Sequence, residues 1–165
     1  MRFKQLLPPP EAVPAAVDPI RALETAPTAL LLAAAQDQGD DAVRTAAVRR
    51  LAQLVDAGQV DFAGDLQGAA GAATDARPTL LAVAALCKDG AHLDRLVAAI
   101  VDPQELATLA VEGTATRIRQ QAAQRIDEPE EIDRLLRQVR DRDKSVYRIL
   151  KAKHDARRAE QERQA

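Results

Sequence analysis

The residue types that run metal or nucleophile chemistry are scarce in this chain. Cys87 is its only cysteine, and His92 and His154 are its only histidines. Cys87 and His92 stand five apart, and no CxxC, HxxxH or HExxH spacing occurs, so no zinc-type ligand set is written in the sequence. Cys87 ends the apolar run LLAVAALC, which predicts a thiol packed as a small hydrophobe rather than a reactive one. His92 falls near a predicted helix start and His154 on an exposed helix face, and neither has a second histidine nearby to complete an acid/base pair. Carboxylates are plentiful. Yet Asp40-Asp41, Glu130-Glu131 and Asp141/Asp143 all stand where a helix start favours negative charge, and capping accounts for them. Neither GxGxxG nor GxxxxGK[ST] occurs. These patterns nominate no catalytic residue, no metal ligand and no cofactor.

Charge is the remaining chemical signal. The net charge of −2 hides a division: residues 1–116 carry net −6 and residues 117–165 net +4. The basic residues over 117–153 are Arg117, Arg119, Arg125, Arg134, Arg137, Arg140, Arg142, Lys144, Arg148, Lys151 and Lys153. In stacked two-helix units, equivalent positions align along one face. That places Arg117, Lys144, Arg148 and Lys151 on one positive strip, the candidate partner-binding face, suited to phosphates or to an acidic partner. Acids are interleaved with these bases. Glu130–Arg134 and Asp133–Arg137 have the favourable i,i+4 order, so a solvated, internally paired helix surface is the plainer reading of the same residues. Base stacking needs aromatics, and Tyr147 is the only one in this region.

The elements that must carry these residues are helical. Alanine accounts for 35 of the 165 residues, aromatics for only 2%, and the chain is poor in β-branched residues, a composition that favours helix over sheet. No apolar run is long enough to span a membrane. A single cysteine forms no internal disulfide, and the N-terminus MRFKQLLPPPEAVPAA lacks the apolar stretch of a secretory signal, so a cytoplasmic protein is expected. Pro8, Pro9, Pro10 and Pro14 oppose helix, which makes residues 1–17 a Pro-rich arm. Capping residues and apolar stripes predict helices over 19–25, 27–37, 41–55, 59–66, 78–88, 90–101, 103–112, 115–126, 129–140 and 143–162. Three glycines weaken helix in 64–78, where a loop or a short turn is expected.

A repeat is legible in the last third. DPQELATLAVEGTATRIRQQAAQRI over 102–126 and EPEEIDRLLRQVRDRDKSVYRILKAKH over 128–154 share one grammar: an acid-Pro start, a first helix, a short polar turn, and a second helix. Asp102 is placed to accept from free N–H groups at the helix start, Pro103 fits the first helical position, and Gly113 ends that helix. The second-helix pattern recurs upstream in DDAVRTAAVRRLAQLV over 40–55 and, more weakly, in TLLAVAALC over 79–87. The aligned positions are Val43, Thr79, Ile118 and Val146.

DDAVRTAAVRRL resembles the second helix of a HEAT-type repeat, in which an acid precedes a Val-Arg pair followed by alanines. IRQQAAQRI repeats that pattern; Tyr147 departs from it where the arginine should stand, and the copy over 79–87 lacks the arginine altogether. The stretch 102–155 is similar to the N-terminal helical-repeat part of bacterial proteins in domain-of-unknown-function family 349, in which such repeats precede long charged helices. The resemblance implies that residues 155–165 begin a charged helical arm of a longer protein. It supplies no catalytic residue.

The expected fold is therefore all-α: a HEAT-like α-solenoid of stacked two-helix repeats over 18–154, with a charged C-terminal helix. The expected function is a non-enzymatic scaffold that binds another protein. The alternative is a nucleic-acid- or ribosome-associated module that uses the basic C-terminal repeats. A third class, an enzyme such as a repeat-type lyase, would require a pocket gathering polar groups from several helices.

Overall fold

The computed structural model describes residues 17–70 and 76–165. Among them every regular element is helical. In chain order these are α1 (Pro19–Ala22), α2 (Thr28–Gln36), α3 (Asp41–Asp56), α4 (π-helical over Phe62–Gln67 and α-helical over Gly68–Ala70), α5 (Arg77–Leu86), α6 (Ala91–Ala98), α7 (Pro103–Glu112), α8 (Thr116–Arg125), α9 (Pro129–Val139) and α10 (Lys144–Gln164). The Pro-rich arm expected over 1–17 lies outside the described residues, save for exposed Val17.

Local chemistry explains most of these boundaries. The carboxylate of Asp40 accepts from the N–H groups of Ala42 and Val43, Asp102 from Gln104, and Asp143 from Ser145 and Val146. Each satisfies donors that a helix start leaves free. Proline opens α1, α7 and α9, where its missing N–H costs nothing. Glu128, which matches Asp102 in the repeat, makes no cap hydrogen bond. Its side chain is one methylene longer than the aspartate that performs this role.

The glycine-rich segment departs from expectation. Helix starts at Phe62 rather than at 59 and, instead of ending at 66, continues through Gly68 to Ala70. Asp61 and Asp65 cap this start reciprocally: the Asp61 carboxylate accepts from the Gly64 N–H at 2.9 Å, and the Asp65 carboxylate accepts from the Asp61 N–H at 2.8 Å. Phe62 and Leu66 are buried, so packing offsets the weak propensity of the glycines. Residues 71–75 lie outside the described set.

Each long helix buries one stripe. Helix α2 packs on α3, α7 on α8 and α9 on α10, with Leu31, Ala35, Ala47 and Leu51 buried in the first pair, Leu106, Ala110, Ile118 and Ala122 in the second, and Ile132, Leu135, Val146 and Leu150 in the third. Alanines in these stripes allow close helix packing, and among the described residues Phe62 is the one buried aromatic. The helices α3, α5, α8 and α10 touch in succession. Of the four aligned positions they carry, Thr79, Ile118 and Val146 are buried and Val43 is partly buried against the core. Helix α7 packs against α9, and α6 lies against α5 and α8. The apolar run 79–87 is not wholly internal: Leu80, Leu81, Val83 and Ala84 are buried, whereas Leu86 is 54% exposed.

Polar side chains tie the helices across these joints. Arg77 donates to both carboxylate oxygens of Glu105 at 2.5 Å, linking α5 to α7. Lys153 of α10 donates to the carbonyls of Gln124 and Ile126 and to the Asp127 carboxylate, which closes the C-terminal end of α8. Asp56 at the end of α3 accepts from the Lys88 N–H that follows α5.

Candidate functional site

Among the described residues a groove of about 480 Å³ opens beside α3 and α5. Its walls are Val48 of α3, Pro78, Ala82, Ala85 and Leu86 of α5, Ala35 of α2, and Thr114 and Ala115 before α8. Its alanines come from three separate segments, Ala35 of α2, Ala82 and Ala85 of α5, and Ala115 before α8, and their short side chains leave room beside Val48 of α3. Thr79 anchors its floor by donating its hydroxyl to the Ala35 carbonyl at 3.4 Å. Gln38, Asp41, Arg44 and Thr45 form the polar rim at the start of α3. Arg44 is ion-paired to Asp41 and also donates to the Asp37 carbonyl, so the rim is close to neutral. None of the residues lining this groove was nominated by the sequence, since they come from segments 35–48, 78–86 and 114–115.

The four residues of the predicted basic strip have different fates. Arg117 is half-exposed and faces Asp94 of α6 at 3.5 Å. Lys151 is paired with Asp155, four residues on, at 2.7 Å. Lys144 and Arg148 are exposed, and among the described residues neither has a carboxylate within 4.0 Å. Arg119, two residues after Arg117, turns inward. Its Nε donates to the Asp143 carboxylate at 2.7 Å and its Nη1 to the Gly113 carbonyl at 2.7 Å. The predicted i,i+4 pairs also re-sort. Arg134 takes Glu131, three residues away, and Arg137 donates to the Asp133 backbone carbonyl rather than to a carboxylate.

The remaining chemical groups are dispersed. Cys87 ends α5 and is only partly buried, not packed within a helix as the apolar run suggested. Burial, then the carboxylates of Asp56 and Asp89, push its thiol up to about 11, so it is protonated and a poor nucleophile at neutral pH. His92 stacks on Phe62 with ring centroids 4.8 Å apart. His154 is half-buried rather than on an open face, and it lies between Asp133 of α9 at 3.6 Å and Asp155 at 3.2 Å. Together with Pro129, Arg157, Arg158 and Gln161 it lines a second, polar hollow of about 320 Å³ between α9 and α10. Among the described residues no three His, Cys, Asp or Glu side chains converge as a metal-binding group. Nor is any described helix long and apolar enough to cross a membrane.

No family model matches the chain, and no curated protein or solved structure matches it either.

Proposed function

We propose that this chain is a non-enzymatic helical-repeat scaffold, a HEAT-like α-solenoid that binds another protein and works in the cytoplasm. The α3–α5 groove carries this reading. Its lining combines small apolar side chains with a near-neutral polar set and includes the exposed Leu86. Such a trough suits a short apolar segment of a partner protein, with the rim hydrogen-bonding the segment's backbone. The succession α3, α5, α8, α10 supports the repeat architecture, because the second helices of neighbouring units pack on one another in a solenoid. The relationship to domain-of-unknown-function family 349 belongs to the same proposal and rests on the residue patterns over 40–55 and 102–155.

The test is site-specific. A photo-crosslinking residue replaces Leu86 in one variant and exposed Arg95 on α6 in another. Proteins captured through position 86 but not through position 95 are identified, purified and titrated against wild type and Ala82→Trp. The substitution fills the groove from a half-buried position, and thermal melting confirms that the variant is folded. At least tenfold weaker binding to Ala82→Trp is expected. Equal capture from both positions, or unchanged affinity for Ala82→Trp, overturns the proposal.

A further inference from the structure

A second surface, independent of the groove, lies where α9 turns into α10. Arg137, Arg140, Arg142, Lys144 and Arg148 fall within twelve residues, and all five are exposed. Among the described residues none has a carboxylate within 4.0 Å, although most other cations of the C-terminal half are ion-paired; of the five only Arg137 has a backbone partner, the Asp133 carbonyl at 3.3 Å. Two acids lie in the same stretch. Asp143 is consumed: it caps α10 and holds Arg119 from the neighbouring helix. Only Asp141 remains to offset five positive charges.

The turn is also held in place. The N–H groups of Arg142 and Asp143 both donate to the Val139 carbonyl, and Arg119 grips Asp143 from α8. The cations therefore project from a braced corner, and less order has to be created when they meet a ligand. Four of the five are arginines, whose planar fork matches two oxygens of a phosphodiester.

We infer that this corner binds the phosphate backbone of a double-stranded nucleic acid. The composition of the patch favours that partner over a protein. Protein interfaces centre on desolvated apolar or aromatic anchors and are depleted of charge at their core. Here Val139 is buried and Tyr147 is half-buried, so charge is nearly all that the corner presents. Backbone binding needs no more than that, and the lack of exposed aromatics argues against reading single-stranded bases.

The test is fluorescence anisotropy of labelled 20-base-pair DNA and RNA duplexes with the full chain. Binding is expected at 50 mM salt. With five phosphate contacts, log Kobs falls against log salt with a slope of roughly −4 to −5, a loss of roughly 10²–10³-fold between 50 and 200 mM. Replacing three of the five, as in Arg140→Gln/Arg142→Gln/Arg148→Gln, flattens the slope by roughly 3. Circular dichroism checks that the variant is folded, and Arg95→Glu serves as a control of unchanged binding. A preference for one duplex tells DNA from RNA. No binding at 50 mM salt, an unchanged slope in the triple variant, equal weakening by Arg95→Glu, or tighter binding to poly-glutamate than to either duplex at matched charge would each overturn the inference. None of these outcomes bears on the α3–α5 groove.

Discussion

Asp143 is the residue on which the last repeat turns, and removing it has a calculable cost. Its carboxylate accepts from the N–H groups of Ser145 at 2.9 Å and Val146 at 3.1 Å, and from Arg119 Nε at 2.7 Å. Asp143→Ala forfeits the cap, worth about 1 kcal/mol. It also strips a charge-assisted hydrogen bond from Arg119, worth about 1.5–3 kcal/mol. The side chains are only 23% and 15% exposed, so the pair escapes much of the screening that makes surface ion pairs weak. The total is about 2.5–4 kcal/mol, a fall in melting temperature of roughly 5–16 °C for a chain of this size. Asp143→Asn keeps the cap and removes only the charge, so it costs less. A double-mutant cycle with Arg119→Met isolates the pair, with an expected coupling of about 1–2 kcal/mol. The pH profile gives an independent check. Burial alone would raise the Asp143 pKa, but the hydrogen bonds from Arg119, Val146 and Ser145 outweigh it and hold the group below its ordinary value. A depressed folded pKa means that the stabilisation is complete above the unfolded value of about 3.9 and is lost as pH falls through the folded one. The stability gap between wild type and Asp143→Asn, measured by urea unfolding, is therefore constant from pH 7 to about 5 and narrows below about pH 4. A cost under about 0.5 kcal/mol for Asp143→Ala, or a gap that stays constant into acid, refutes this account of the joint.

Two glycines should respond differently to alanine. At Gly113 a Cβ would sit 2.6 Å from the Leu109 carbonyl oxygen and 3.0 Å from Ile118 Cγ2, so Gly113→Ala strains the α7–α8 turn by about 1–3 kcal/mol. Gly58 has φ +69° and open space around it, so Gly58→Ala costs only about 1 kcal/mol from backbone conformation; denaturant midpoints that put Gly58→Ala at the greater cost would reverse the argument. Cys87 should react slowly with a thiol reagent at pH 8, with a thiolate fraction of roughly 10⁻³ and a rate rising about tenfold per pH unit toward 11. Asp56→Asn should speed the reaction at fixed pH, and a rate plateau below pH 9 would contradict the effect of burial and the two neighbouring carboxylates.

Much of the helical layout was legible because its signals are local. Asp102 with Pro103 and Asp143 before α10 mark helix starts through contacts two or three residues long, and apolar stripes such as Ile132, Leu135 and Val139 need only the 3.6-residue period. Where the controlling contact is not local, the reading fell short. α1 stops at Ala22, three residues early, and α4 continues past residue 66 through Gly68, with Phe62 and Leu66 buried. Charge was harder still. Arg119 and Arg117 sit two apart on one helix, yet one clamps Asp143 and the other faces Asp94, since each takes the nearest carboxylate that the fold supplies.

By itself, then, the residue order determined helix, its punctuation, and which face of each helix turns inward. Those properties follow from backbone hydrogen bonding and periodicity within a few residues. Tertiary structure alone decided which cations stay unpaired at the α9–α10 corner and that alanines from three distant segments leave a trough between α3 and α5. Both depend on distances between side chains far apart in sequence, which are set only when the helices pack.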